Sequence, residues 1–343
     1  MATTKEVARR AGVSSGTVSN VLTGNAAVSH QLRERVLKAI KELGYEPNAI
    51  ARSLKLNRTK MLGMVVTDIT NPFFSQMVRG AQEASLKHHY LLVAFNTDDR
   101  VEREKEALLV LRARRVDGIL LVVAPAHESP SHILDTLKSK TPVVCLDRVP
   151  RGVAVDSVTV DNVAAARECV RHILSTGHRR VGIITGTMHS HTAQERLAGF
   201  EEGLKEAHIK PKPEWILRGD FHAQSGYRLG RELLLLRDRP SAVLVSNWLM
   251  MTGLLKALGE LKLSCPEDLS VATFDDPPFS DVFRPRITAV AQPAYSIGYA
   301  GAELLIQRIE SKRDTENPVA IRLPAELKIR ESTIGAKGIY QGP

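Results

Sequence analysis

A set of polar and aromatic side chains, most of them following short apolar runs, could together bind a polyhydroxylated small molecule. Carboxylates and amides exchange hydrogen bonds with hydroxyl groups, Arg adds a fork of donors, and aromatic faces stack on the C–H surface of a sugar ring. Taken singly, the aromatic residues could be core, the Asp147–Arg148 pair a salt bridge and Asp275 a turn former. The mixture as a whole is what a polyol site needs. We call these residues the polyol-binding set. It contains Asn71, Phe73, Phe74, Asp147, Arg148, Arg196, Phe221, Asn247, Trp248, Asp275 and Gln292, with Thr192 as a further lining residue.

The elements that would position this set alternate from Met61 onward. Short apolar runs indicate buried parallel strands, and the amphipathic stretches between them indicate helices. This alternation predicts a doubly wound α/β fold, in which ligands bind near the carboxyl ends of the strands. About 280 residues of it suggest two similar lobes with a cleft between them. The predicted strands are 62–66, 91–95, 118–123, 142–146, 180–184, 242–246 and 269–274, and the predicted helices include 75–89, 101–114, 162–176, 193–207 and 223–236.

Most of the net charge lies before this region. Residues 1–60 contain eleven Lys and Arg against four Glu, which is +7 of the +9 carried by all 343 residues. A compact basic segment on a nearly neutral body is typical of nucleic-acid binding, although a solvated surface also explains a charge cluster taken alone. The length suits one small domain and one large one.

Three short helices are predicted within the basic segment. Thr3 and Glu6 fit a capping box, and Gly12 fits a left-handed C-cap. Ser14 suits the N-cap of a second helix, and two helices joined by so tight a turn match a helix-turn-helix. A third helix begins near Ser29. The predicted apolar positions are Val7, Ala8, Ala11, Val18, Val21, Leu22, Leu32, Val36, Ile40 and Leu43.

The polar residues of the second helix distinguish a DNA-binding domain from a three-helix bundle without that function. A bundle explains the apolar positions but not the small hydrogen-bonding groups at the start and on the exposed face of this helix. Such groups can approach base edges and phosphates when a helix enters a major groove with its N-terminus first. They are Ser15, Gly16, Thr17, Ser19 and Asn20.

The segment from Thr3 to Lys60 resembles the DNA-binding head of the lactose/purine/ribose repressor family, through TTKEVARRAGVSSGTVSNVLTG and ERVLKAIKELGYEPNAIARSLK. In that family the second and last positions of the recognition helix read bases, which implicates Ser15, Gly16 and Asn20. Gly16 departs from the side-chain-bearing residue usual there. The DNA-binding set implied by the resemblance is Thr4, Ser15, Gly16, Thr17, Ser19, Asn20, Ala51, Leu54 and Lys55.

Residues 48–58 follow Pro47 and could form a helix too short to be stable alone. The resemblance implies that two such hinges pair in the minor groove across a dimer, with Leu54 wedged between base pairs. Ala51 would allow close helix contact, and Lys55 lies beside the wedge. A wedge of this kind costs a few kcal/mol of unstacking and bends the DNA. The alternative is an ordinary interdomain linker, with Leu54 packed on the body.

The body resembles the same family, and it also resembles ribose-type periplasmic sugar receptors. The matching pieces are ITNPFFSQMVRGAQEAS, LDR, ERLAGF, FDD and AQP. The resemblance implies that the polyol-binding set, apart from Thr192 and Trp248, contacts a monosaccharide such as a pentose. Trp248 stands where the family usually has Asp, and purine-sensing relatives differ around the loop that contains Ser190.

These observations predict a homodimeric cytoplasmic repressor that binds double-stranded operator DNA and is not an enzyme. Its fold class is α/β, with a small all-α helix-turn-helix head and a two-lobed, doubly wound parallel-sheet sensor domain similar to periplasmic binding proteins. A small-molecule effector between the lobes would control it, without cofactor, metal or membrane contact. The expected domains are residues 1–47 (head), 48–60 (hinge), 61–335 (effector domain) and 336–343 (tail), with an N-lobe of 61–160 and 293–323 and a C-lobe of 161–292 and 324–335.

Several other features have plain interpretations. Three scattered Cys without CxxC spacing suit a reducing compartment, and no apolar run resembles a secretory signal or approaches the about 20 residues of a membrane span. His88, His89, His189 and His191 lack a third ligand with metal spacing, and no GxGxxG, GxSxG or P-loop pattern occurs. The charged run 99–106 is most simply a solvated helix face.

Three alternatives remain open. A transport-type sugar receptor is disfavoured by the basic head and by the lack of a signal peptide. A carbohydrate enzyme could use Asp147 and Asp275 as paired carboxylates, but both acids have simpler hydroxyl-binding roles. A regulator triggered by a phosphorylated partner protein would not need the polyol-binding set.

Overall fold

A computed structural model of the protein describes residues 2–22, 28–45, 58–126, 130–311 and 317–333. The chain divides into two compact units, Met1–Thr59 and Lys60–Pro343, which we call the head and the body. Among its described residues, the head contains the helices α1 (Thr4–Ala11), α2 (Ser15–Leu22) and α3 (His30–Leu43).

Local capping fixes the turns of the head, as the sequence predicts. The Glu6 backbone N–H donates to Thr3 Oγ1 at 3.3 Å, and the Thr3 N–H donates to the Glu6 carboxylate at 2.7 Å, so the capping box is formed. Gly12 ends α1 in the left-handed conformation, with φ at 62°. Ser14 Oγ accepts from the Thr17 N–H at 3.1 Å and begins α2.

A small apolar cluster joins the three helices of the head. Its buried members are Val7, Ala8, Ala11, Val18, Val21, Val36, Ala39 and Tyr45. The prediction that Leu43 belongs to this stripe is wrong, because α3 faces the cluster with Val36, Ala39 and the partly buried Ile40, whereas Leu43 is exposed in the last turn.

The described body contains two six-stranded sheets with equivalent strand orders, β11-β5-β4-β3-β1-β2 and β12-β10-β9-β8-β6-β7. All strand pairs are parallel except β10 with β12. We call the first sheet and its helices the N-lobe and the second the C-lobe. The strands are β1 (Met61–Val66), β2 (Leu91–Asn96), β3 (Gly118–Leu121), β4 (Val143–Leu146), β5 (Asp156–Val160), β6 (Val181–Thr185), β7 (Ile216–Arg218), β8 (Ala242–Val245), β9 (Ser270–Phe274), β10 (Thr288–Ala291), β11 (Ala320–Leu323) and β12 (Glu326–Lys328).

Helices cover the sheets and leave the carboxyl ends of the parallel strands of both lobes facing a shared cleft. The helices are α4 (Pro72–Lys87), α5 (Val101–Ala113), α6 (Ser131–Lys138), α7 (Asn162–Ser175), α8 (His191–Glu206), α9 (Ala223–Leu234), α10 (Trp248–Glu260) and α11 (Ala294–Ser311). Two-sided coverage buries the central strands, and β3, β4 and β6 have no exposed residue.

Two predictions about the N-lobe surface are wrong. The run 91–95 is not a buried strand, because β2 is the edge of its sheet and Leu91 is 57% exposed. The run 99–106 is not simply a solvated face, because Glu104 in the first turn of α5 is 1% exposed. Its carboxylate accepts from the Ala124 N–H at 2.6 Å and lies 2.6 Å from His132 Nε2, so it ties α5 to the segment after β3.

Two glycines allow α4 and α11 to pack backbone against backbone. A Cβ at Gly298 would overlap the Met77 carbonyl oxygen, and one at Gly80 would overlap the Tyr295 carbonyl oxygen. Gly298→Ala is therefore expected to lower the free energy of unfolding by about 1–3 kcal/mol, because the helices must separate. Chemical denaturation of the full chain measures this. Gly259→Ala is the control: its Cβ meets nothing within 4 Å, and it should raise stability by about 0.5–1 kcal/mol.

Candidate ligand-binding site

Two carboxylates occupy equivalent places in the two lobes. Asp147 follows β4 and Asp275 follows β9, and their N–H groups donate to Val158 O and Val290 O, each at 3.0 Å. Both residues have positive φ, 59° and 70°. This conformation costs a non-glycine residue about 1 kcal/mol or more and is typical of functional positions. Each lobe therefore contributes one buried carboxylate to the cleft.

Arg196 on α8 supplies positive charge to both carboxylates. Its side chain is 3% exposed, donates from Nε to Asn162 Oδ1 at 2.8 Å and from Nη1 to Ser246 O at 2.6 Å, and lies over the Phe274 ring. Burial raises the pKa of Asp147 and of Asp275 above the usual range, and the charge of Arg196 opposes that rise. Burial also lowers the pKa of Arg196 itself.

Arg148 joins the charged cluster from the N-lobe. Its Nη1 donates to Asp99 Oδ1 at 2.7 Å, and its Nε lies 3.7 Å from the Asp147 carboxylate. The guanidinium carbon is 5.2 Å from the centre of the Phe221 ring and 5.9 Å from that of Phe74, so aromatic faces flank the cation. Phe221 itself has a φ of 71°.

Two asparagines begin helices at the cleft. Asn71 Oδ1 accepts from the Phe73 N–H at 3.0 Å at the start of α4. Asn247 Oδ1 accepts from the Met250 N–H at 3.0 Å at the start of α10, and its Nδ2 donates to Phe221 O at 2.8 Å. Both amides therefore have capping roles that also fix them at the site.

These side chains enclose a pocket of about 20 Å³, which we call the inner pocket. Three buried polar atoms of its lining have no hydrogen-bond partner: Asp147 Oδ1, Arg148 Nε and Gln292 Oε1. A buried group left without a partner costs about 1–3 kcal/mol, which a ligand with matching donors and acceptors would recover. The predicted residues that line the inner pocket are Asn71, Phe73, Phe74, Asp147, Arg148, Thr192, Arg196, Phe221, Asn247, Asp275 and Gln292.

Trp248 is the predicted residue that the inner pocket does not include. It is 1% exposed, packs edge-on against Phe283 with ring centres 5.2 Å apart, and lines a larger neighbouring cavity of about 420 Å³, the outer cavity. Trp248 therefore does not narrow the inner pocket.

Sequence reasoning missed four residues of the inner pocket. Asp68 follows β1, Asp99 follows β2 and His222 follows β7, so the strand-end rule could have found them. Leu249 lies in the first turn of α10, and no sequence signal distinguishes it from core leucines.

The proposed DNA-reading residues of the head have different surroundings. Ser15, Gly16 and Asn20 are exposed, whereas Thr17 and Ser19 are half-buried. The Thr4 hydroxyl lies 2.8 Å from the Tyr45 hydroxyl, a contact that sequence reasoning missed and that ties α1 to the end of α3. Ala51, Leu54 and Lys55 lie outside the described residues.

Comparison with known proteins identifies both units. Residues 3–48 match the model of "Bacterial regulatory proteins, lacI family", and residues 170–333 match that of a "Periplasmic binding protein-like domain". The HTH-type transcriptional repressor PurR of Photobacterium profundum is 33% identical over 97% of this chain and 98% of its own length. That of Edwardsiella ictaluri is 35% identical over 94% of each. The chain belongs to the lacI family of bacterial regulatory proteins.

Solved structures agree with this assignment to the lacI family. The lac repressor dimer bound to operator and an anti-inducer has a TM-score of 0.86 at 27% identity, covering 97% of this chain and 99% of that one. A complex of the regulator CelR with cellobiose has a TM-score of 0.73 at 32% identity, covering 97% and 100%. The predictions of a DNA-binding transcriptional repressor and of its fold class are confirmed, and the enzyme and transport-receptor alternatives are set aside.

Among the described residues of this lacI-family repressor, no helix is long and apolar enough to span a membrane. Within the same ranges, no group of three or more His, Cys, Asp or Glu is placed to hold a metal ion.

Proposed function

We propose that this lacI-family repressor binds an operator as a homodimer and responds to a polyhydroxylated effector, whose recognised unit is a monosaccharide such as a pentose. The observation that carries the proposal is the set of unpartnered buried atoms in the inner pocket: Asp147 Oδ1, Arg148 Nε and Gln292 Oε1. Two of the three are acceptors, and Asp275 adds a second carboxylate. Several acceptors in a small space suit a ligand with several hydroxyl donors.

A purine base is the second candidate, because the named relatives are PurR repressors. The N–H donors of a purine base all lie in the plane of its rings, whereas the hydroxyl donors of a sugar point to several sides of the ring and can reach two carboxylates and an amide oxygen from different lobes. This spread of donors favours a sugar over a base.

The head would read bases through Ser15, Gly16 and Asn20, and the hinge, residues 48–60, would enter the minor groove at Leu54. The lac repressor, similar over the full length, was solved as a dimer on its operator, which supports dimeric binding here. Effector between the lobes would alter the hinges, and operator would change effector affinity by the same factor.

Fluorescence anisotropy of the full chain on an operator selected from random DNA tests this function. We expect salt-sensitive operator binding that one monosaccharide changes about 10-fold or more, in either direction. Hypoxanthine and guanine are included in the same titrations. A response to a purine base and to no sugar would overturn the effector assignment, and equal affinity for operator and bulk DNA would overturn the regulatory one.

A further inference from the structure

Arg35 joins α3 to the turn between the first two helices of the head. Its Nη2 donates to the Ala11 carbonyl oxygen at 2.6 Å and to the Gly12 carbonyl oxygen at 3.2 Å. Both acceptors lie at the C-terminal end of α1, where carbonyl groups lack partners within the helix and the helix dipole favours a cation. Arg35 therefore adds a charge-assisted link between α3 and the end of α1.

Gly12 allows this link in two ways. Its φ of 62° is a left-handed conformation that glycine adopts without strain, and it turns the chain from α1 towards α2. A Cβ at Gly12 would lie 2.6 Å from Arg35 Nη2, so a side chain there would push the guanidinium away from both carbonyl groups. The turn and the cation that stabilises it are therefore matched to each other.

The end of α2 that is proposed to read bases follows this turn directly. Ser15 and Gly16, both exposed, come three and four residues after Gly12. The buried residues that hold α2 in the apolar cluster of the head, Val18 and Val21, come later in the helix. The position of the N-terminal end of α2 therefore depends on the turn at Gly12 as well as on the cluster.

We propose that Arg35 is a positioning residue for operator recognition, because it fixes the turn at Gly12 and with it the N-terminal end of α2. This inference rests on the proposed function, in which Ser15 and Gly16 meet the bases in the major groove. Hydrogen bonds to base edges weaken steeply with distance and angle, whereas attraction to phosphates is electrostatic and independent of sequence. Loss of Arg35 should therefore reduce operator affinity more than affinity for bulk DNA.

Fluorescence anisotropy of the full chain on the selected operator and on bulk DNA tests the inference. Arg35→Met removes both hydrogen bonds and should weaken operator binding about 10-fold, the effect of losing one base contact, and bulk-DNA binding less than about threefold. Arg35→Lys should keep the ratio of the two affinities within about threefold of the wild type, because one nitrogen makes both bonds and an ammonium can replace it. Lys38→Met removes an exposed charge from the same helix and is the matched control, with an unchanged ratio.

The salt dependence separates positioning from a direct phosphate contact, since Arg35 is itself exposed. A direct contact would make Arg35→Met lower the slope of log affinity against log salt by about 0.9 on operator and bulk DNA alike, whereas positioning leaves the bulk-DNA slope unchanged. The inference is overturned by that change of slope, by unchanged operator affinity, or by equal losses on both DNAs, which an unfolded head would also produce. Equal affinity of the wild-type chain for operator and bulk DNA would instead overturn the proposed function.

Discussion

The Arg196→Met variant is expected to bind effector about 100-fold more weakly than the wild type and to lose about 3–5 kcal/mol of unfolding free energy. Arg196 is 3% exposed and is fixed by Asn162 Oδ1 at 2.8 Å and Ser246 O at 2.6 Å. Its charge opposes the rise in pKa that burial imposes on Asp147 and Asp275. Methionine preserves much of the volume but leaves the two carboxylates with far less compensation.

The destabilisation by Arg196→Met should grow with pH. Without Arg196, the folded-state pKa of Asp147 and Asp275 rises further above the unfolded value of about 4. The folded state then binds more protons than the unfolded state, so stability falls as pH rises from about 4 through the raised pKa. Denaturant unfolding of the full chain at pH 5 and pH 8 measures this, with exposed Arg228→Met as the control. An equal loss at both pH values would contradict the assigned role.

The sequence predicts the inner pocket well where a buried strand ends in a polar residue. The runs before Asp147 and Asp275 are short, apolar and central in their sheets, so their boundaries are visible and their carboxyl ends must face the cleft. The sequence does not predict Asp99 as a pocket residue, because it follows an edge strand and begins a charged run that resembles a solvated helix. Its contact with Arg148, 49 residues away, depends on the packing of α5 against the lobe.

Side-chain direction explains the misplacement of Trp248. The strand-end rule places this residue near the cleft, and it does line the outer cavity. Which cavity it enters depends on the phase of α10 and on its contact with the Phe283 ring, which lies in a loop 35 residues later in the chain.

The caps of the head were predictable because their contacts are local in the sequence. Thr3 with Glu6 and Ser14 with Thr17 each act over three residues, whereas the contact between Thr4 and Tyr45 spans 41.

Replacement of Asp147 by Asn should separate stability from ligand recognition. Asp147 is 4% exposed, its Oδ1 has no partner, and burial raises its pKa. The amide removes the cost of a buried charge, and Asn tolerates the φ of 59° as well as Asp does. Arg148 remains ion-paired with Asp99. We expect the unfolding free energy at pH 7 to rise by about 1 kcal/mol and effector affinity to fall about 10- to 100-fold, because a charged acceptor is lost.

The pH dependence distinguishes this mechanism from a general packing effect. An acid whose folded-state pKa is raised contributes stability that is complete below the unfolded pKa, about 4, and is lost as pH rises through the folded value. The gain from Asp147→Asn should therefore disappear near pH 4 and reach its maximum above the raised pKa. Thermal unfolding across this range measures it, with exposed Asp135→Asn as the matched control. A gain in stability that persists unchanged at pH 4 would show that the stabilisation comes from side-chain packing and not from the removal of a buried charge. A loss of stability at pH 7 would mean that the attraction of Asp147 to Arg148 and Arg196 exceeds its desolvation cost.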